Sequence, residues 1–110
     1  IGGEYDAVYC LDVFEHIEKK YEIQLMKTII SNLKSDGVCI IGMPSLPSQA
    51  YASPLSKIGH VNCKTGDELK NLMEKFFHRV FIFSMNDEVL HTGFFPMSNY
   101  IIALCVSPIE

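Results

Sequence analysis

Three side chains able to bind a metal or move a proton occur within one five-residue segment. Asp12, Glu15 and His16 supply two carboxylates and an imidazole, and His60 follows in a later segment. Oxygen and nitrogen donors of this kind suit Mg²⁺, Mn²⁺ or Zn²⁺, with water or a substrate oxygen completing the coordination shell. Without a metal, His16 is a candidate general base, because an imidazole can accept a proton near neutral pH.

Each of these side chains also has a purely structural interpretation. Asp12 could cap the helix that follows the first strand, since aspartate is a favoured N-cap residue. His16 and His60 could each order a loop through hydrogen bonds. The sequence leaves both interpretations open.

The elements around these residues predict an α/β fold. Apolar runs predict four strands: from Asp6 to Leu11, and over residues 38–43, 80–83 and 100–106. In the first run the apolar residues follow one another without alternation, which predicts a strand buried on both faces. Helices are predicted over residues 20–34 and after a capping box of Thr65 and Glu68.

Two long segments connect these elements. Residues 45–64 contain Pro47, Pro54 and Gly59 and predict a long loop without regular structure, of a length that often carries function. Residues 84–99 show no helical period, so we expect the last two strands to be antiparallel neighbours. The cluster Phe94-Phe95-Pro96 in this stretch predicts an apolar contact over the sheet end or a partner surface.

Composition narrows the function further. The 110 residues suffice for one small domain, and a net charge of -4 with scattered Lys and Arg does not favour nucleic-acid binding. The apolar run at residues 100–106 is too short to span a bilayer. The four cysteines have no CxxC spacing, which predicts reduced thiols and a cytoplasmic location.

Three stretches resemble the C-terminal half of class I S-adenosylmethionine-dependent methyltransferases, a Rossmann-like fold. Residues 4–17 resemble the fourth strand of that family and the loop after it, and residues 33–44 resemble its turn and fifth strand. Residues 59–62, with the capped helix and Phe76-Phe77, resemble the segment around its fifth helix. The resemblance implies parallel strands followed by an antiparallel terminal hairpin, whose last strand inserts between its two predecessors.

The resemblance also implies functions for individual residues. The full-length protein is expected to transfer a methyl group from S-adenosylmethionine to a small-molecule or macromolecular acceptor. Leu11 and Asp12 are expected to lie along the methionine portion of the cofactor. The Asp12, Glu15 and His16 cluster resembles the Glu-x-x-Glu-His metal cluster of some O-methyltransferases, with Asp in place of the first Glu.

Other family features are missing from the sequence. Neither the glycine-rich turn after the family's first strand nor the acidic residue after its second strand is present. We therefore expect residues 1–110 to form a partial domain that lacks the N-terminal cofactor-binding half and is inactive by itself.

Two alternatives remain. The first is a non-catalytic fragment or scaffold that forms a homodimer through the exposed strand edge from Asp6 to Leu11. The second is another nucleotide-binding α/β enzyme such as a dehydrogenase. The predicted terminal antiparallel hairpin argues against the second.

Overall fold

The computed structural model describes residues 3–86, 89–91 and 97–109. The strands in these ranges are β1 (Tyr5–Leu11), β2 (Leu33–Pro44), β3 (Phe77–Asn86), β4 (Val89–His91) and β5 (Tyr100–Pro108). They form one mixed sheet in the order β1-β2-β5-β3-β4. The Phe94-Phe95-Pro96 cluster lies outside the described residues.

Helical segments connect the strands. They are α1 (Lys19–Asn32), α2 (Pro54–Gly59) and α3 (Gly66–Met73), with 3₁₀ turns at Phe14–His16 and Pro47–Tyr51. The predicted helices correspond to α1 and α3. None of the helices in the described ranges has the length and apolar character that crossing a bilayer requires.

The strand topology confirms the expected arrangement. β1 and β2 are parallel, whereas β5 is antiparallel to both β2 and β3. The last strand thus lies between its two predecessors, as the resemblance implies. One expectation was wrong, because the stretch predicted to be irregular contains β4, which pairs with the end of β3. Three residues are too few to produce a recognisable strand pattern in the sequence.

The core lies on one face of the sheet. α1 contributes Met26 and Ile29, and α3 contributes Leu69 and Met73, to a cluster of buried side chains. Leu33 and Phe77, at the starts of β2 and β3, belong to this cluster. The other strand residues in it lie at alternating positions of β2, β3 and β5 and are Cys39, Ile41, Met43, Val80, Ile82, Ile101, Ala103 and Cys105. Alternation follows from the two-residue period of a strand, which sends successive side chains to opposite faces.

The prediction that β1 is buried on both faces was wrong. Val8 and Cys10 pack against the core, but Tyr9 and Leu11 are 74% and 48% exposed. Tyr9 is in register with Ile40, and Phe81 is also exposed on this side. We call this the open face of the sheet. It is uncovered because the buried residues of α1 and α3 pack against the opposite face.

The long loop at residues 45–64 is also more ordered than predicted. Its second half contains α2, whose N-cap Ser53 accepts a hydrogen bond from the backbone N–H of Ser56 at 3.2 Å. Pro54 follows the cap, at a helical position where the missing N–H costs nothing. Prolines interpreted as loop formers therefore begin a short helix.

Candidate functional site

The candidate residues begin where β1 ends. Asp12 adopts a left-handed backbone with φ of 60°, a conformation that Asp tolerates better than most residues. Its N–H donates to the carbonyl of Gly42 on the neighbouring strand at 3.1 Å. Phe14 in the following 3₁₀ turn is fully buried. The turn is therefore fixed at both ends, by the sheet and by the core.

Asp12 forms its side-chain contact with the sheet and not with a helix. Tyr100, at the start of β5, places its hydroxyl beside Asp12. Burial, and after it the interaction with the Asp12 side chain, raises the pKa of the Tyr100 hydroxyl above its ordinary value. The N-caps of the 3₁₀ turn and of α1 are Val13 and Glu18, and neither shows a side-chain capping bond. The interpretation of Asp12 as a helix cap was therefore wrong.

Gly42 makes the approach of Tyr100 possible. A Cβ at Gly42 would lie 2.8 Å from the Tyr100 hydroxyl oxygen and 2.8 Å from Cδ2 of Leu11. Only glycine permits this close packing of β1, β2 and β5. An isolated glycine inside an apolar strand is the sequence signal for such an approach, although it does not identify the partner.

Glu15 is the buried carboxylate of the site, with 1% of its surface exposed. Its backbone carbonyl accepts from the N–H groups of Val61 and Asn62 at 2.8 and 3.0 Å, which attaches the later loop to the 3₁₀ turn. Oε1 of its side chain has no hydrogen-bond partner among the described residues. Burial raises the pKa of the Glu15 carboxyl, while its own backbone N–H, His16 and His60 act in the opposite direction.

His16 is held in one tautomer by its hydrogen bond. Nδ1 lies 2.8 Å from the backbone carbonyl oxygen of Gly59, which can only accept. Nδ1 therefore carries the proton in the neutral ring, and Nε2 presents its lone pair. Nε2 lies 3.7 Å from Oε2 of Glu15. About half of the His16 side chain is exposed, so this lone pair is accessible.

His60 lies next to the ring of His16. Its Nδ1 lies 2.8 Å from Oε1 of Gln49, which leaves Nε2 as the free nitrogen of the neutral ring. The rings of His16 and His60 have their centroids 5.1 Å apart. One donor atom from each of Glu15, His16 and His60 lies within 4.8 Å of the others, and we call these three residues the EHH cluster.

The structure brings together three of the four candidate metal ligands. Asp12 is not among the residues whose donor atoms converge in the EHH cluster. Leu11 ends β1 with its side chain half exposed on the open face. Leu11 and Asp12 thus share the carboxyl end of the parallel pair, the usual ligand-binding edge of an α/β sheet.

A polar network that the sequence did not predict secures the loop after His60. The side chain of Asn62 donates to Oε2 of Glu22 at 2.9 Å, and the same oxygen lies 3.0 Å from Nζ of Lys64. Asn62 and Lys64 are almost fully buried, and Glu22 belongs to α1. No short-range motif marks a contact that spans 40 residues.

An open cleft of about 280 Å³ adjoins the cluster. His60 and Gln49 form part of its wall together with Lys19, Lys57 and Glu68. The cleft provides access from solvent to the side of the cluster that His60 forms.

A protein-family profile described as "Methyltransferase domain" matches residues 2–76. The match includes β1, both 3₁₀ turns, all three α-helices, β2 and the three residues of the EHH cluster. No curated protein and no solved structure gave a significant match to the chain. Because the profile covers more than half of the 110 residues, the chain belongs to the methyltransferase-domain family.

Proposed function

We propose that the full-length protein, of which this methyltransferase domain is part, uses S-adenosylmethionine as its methyl donor. The observation that carries the proposal is the position of Leu11 and Asp12. These two residues follow each other at the carboxyl end of the parallel strands. An exposed carboxylate there fits the ammonium group of the methionine portion, and the half-exposed Leu11 side chain offers it an apolar contact. The bound cofactor supplies an electrophilic methyl group.

The acceptor would lie on the side of the EHH cluster and the cleft. In methyl transfer the acceptor's lone pair forms the bond to the methyl carbon, the carbon–sulfur bond breaks, and the sulfur retains the electron pair. An O–H or N–H acceptor must also lose a proton. In the metal-free site we propose His16 as the catalytic base, because Nε2 carries an accessible lone pair and the bond to Gly59 fixes the ring.

The charge of the chain favours some methyl acceptors over others. A net charge of -4 with scattered basic residues does not favour a nucleic acid held by this chain. A small molecule or a protein side chain remains the preferred acceptor. All four cysteines are free thiols, which supports the proposal of a reducing, cytoplasmic environment.

Calorimetry of the full-length protein with S-adenosylmethionine and with its demethylated product tests the donor. We expect both to bind, and Asp12→Asn to weaken binding at least tenfold, because Asn has the shape of Asp but lacks its charge. Asp36→Asn, at an exposed position of β2, is the matched control and should bind like the unmodified protein. A protein that binds neither compound contradicts the proposal.

A separate observation favours a second function, a scaffold that forms homodimers. β1 is a terminal strand of the sheet, so its outer edge has no strand partner among the described residues. An unpaired edge from Asp6 to Leu11 beside the exposed Tyr9 is a template for a second copy of the chain.

Sedimentation over a range of concentrations tests this second function. We expect a concentration-dependent dimer that Tyr9→Lys weakens, since charged residues discourage edge pairing. Phe81→Lys, on the same open face but on β3, should leave the dimer intact if β1 is the contact. A monomer at every concentration would eliminate the scaffold function.

A further inference from the structure

The EHH cluster has the kind of side-chain arrangement that a metal ion requires. Two imidazoles and a carboxylate converge, with donor atoms within 4.8 Å of one another. In a tetrahedral zinc site with bonds of about 2.1 Å, ligand atoms lie about 3.4 Å apart. The observed 3.7 Å between Nε2 of His16 and Oε2 of Glu15 is already close to that separation.

In both imidazoles the proton of the neutral ring lies on Nδ1, which leaves Nε2 available to a ligand. The Nδ1 atoms of His16 and His60 each lie 2.8 Å from a carbonyl oxygen, of Gly59 and of Gln49. Metal-binding histidines characteristically donate their second ring N–H to a carbonyl or carboxylate, which orients the ring and raises its basicity. The two Nε2 lone pairs are therefore fixed before any ion arrives.

Glu15 provides an independent observation that points to a cation as ligand. The residue is 1% exposed, and Oε1 has no partner among the described residues. A buried carboxylate oxygen without a hydrogen bond is costly, and a cation at the cluster would remove that cost. His16 does not provide full compensation, because 3.7 Å is too long for a hydrogen bond.

We propose that Glu15, His16 and His60 bind a divalent transition-metal ion, with Zn²⁺ preferred over Mg²⁺. Two nitrogen donors and one oxygen donor suit Zn²⁺, whereas Mg²⁺ prefers oxygen ligands and octahedral geometry. Three protein ligands leave a fourth position open. His16 is half exposed and His60 faces the cleft, so this position is accessible to water or to an acceptor oxygen.

The metal site is independent of the proposed methyl donor. An ion on Nε2 of His16 excludes a proton from the same nitrogen, so the metal-loaded site does not use His16 as a base. Metal binding is measured on the protein alone, without cofactor. A protein that binds the ion but not S-adenosylmethionine contradicts only the proposed donor, and the reverse result contradicts only the metal site.

Titration of the purified protein with Co²⁺, followed by visible absorption, tests the site. We expect one Co²⁺ per chain with the intense absorption of a four-coordinate ion, displacement by Zn²⁺ and no displacement by Mg²⁺. His60→Ala and Glu15→Gln should each abolish the absorption. His78→Ala, at an exposed position of β3, is the matched control and should retain it.

Gln49→Ala provides a milder variant in case loss of a ligand prevents folding. It leaves all three ligands in place and removes the carbonyl that orients His60, so we expect affinity to fall 10- to 100-fold. Circular dichroism establishes that each variant is folded. Absence of Co²⁺ binding by the folded protein overturns the proposal, as does unchanged binding after His60→Ala.

Discussion

At the scale of single residues, the start of α3 depends on the reciprocal bonds of a capping box. Thr65 accepts from the Glu68 N–H at 3.2 Å, and Glu68 accepts from the Thr65 N–H at 3.0 Å. We expect Thr65→Ala to lower the free energy of unfolding by about 1 kcal/mol. Denaturant unfolding measures this change. Thr28→Ala within α1 is the matched control and should have a smaller effect, since its hydroxyl bonds only to the Gln24 carbonyl.

Glu68 makes the stability of the domain depend on pH. The backbone N–H of Thr65 holds the pKa of the Glu68 carboxyl below its ordinary value. A carboxyl with a lowered folded-state pKa stabilises the protein above its unfolded pKa of about 4.3, and this stability is lost as pH falls through the folded value. The unfolding free energies of the unmodified protein and Glu68→Gln should therefore converge as pH falls from 7 to 3. A difference that does not change with pH would contradict this mechanism.

The sequence predicted which residues could do chemistry better than it predicted their partners. Residue type and spacing identified Glu15, His16 and His60. The acceptor Gln49, and Tyr100 beside Asp12, could not be inferred, because neither side chain belongs to a motif. Oε1 of Glu15 has no partner among the residues that the structure describes because distant segments bury it, which no local pattern specifies.

At the scale of elements, the contact of β1, β2 and β5 at Gly42 is sensitive to added volume. A methyl group there would lie 2.8 Å from both Leu11 and Tyr100. We expect Gly42→Ala to displace Tyr100 from Asp12 and to lower the unfolding free energy by about 1–3 kcal/mol.

Thermal unfolding measures this effect, and Gly59→Ala supplies the comparison. A Cβ at Gly59 would meet His16 at 3.5 Å, an ordinary contact. A Gly42→Ala protein as stable as the Gly59→Ala protein would show that the three strands accommodate the methyl group.

The elements that sequence reasoning predicted have a strong pattern, and those that it missed are short. Apolar runs identified β1, β2, β3 and β5, and the capping box identified the start of α3. α2 depends on a cap at Ser53 followed by proline, a signal that also occurs in turns. β4 forms only because β3 extends to Asn86 and provides an edge for it.

At the scale of the whole molecule, burial of the sheet was predicted incorrectly for a physical reason. Continuous apolar sequence in β1 indicates contact on both faces, but the described helices cover only one. The composition of a strand indicates which of its faces can be buried. Which faces are actually exposed depends on the segments that pack against the strand. The same open face carries Tyr9, Ile40 and Phe81.

The position of β5 has a consequence for biosynthesis. During vectorial emergence from the ribosome, β2 and β3 appear before the strand that must separate them, so neither can complete its hydrogen bonding early. Cotranslational folding of the sheet should therefore wait until β5 has emerged, because β2 and β3 each pair with β5 and not with each other. A chain that ends at Asn99 should be digested throughout in pulse proteolysis, while the 110-residue chain resists. Resistance of β3 in the shortened chain would contradict this expectation, because it would show that β3 becomes ordered without β5.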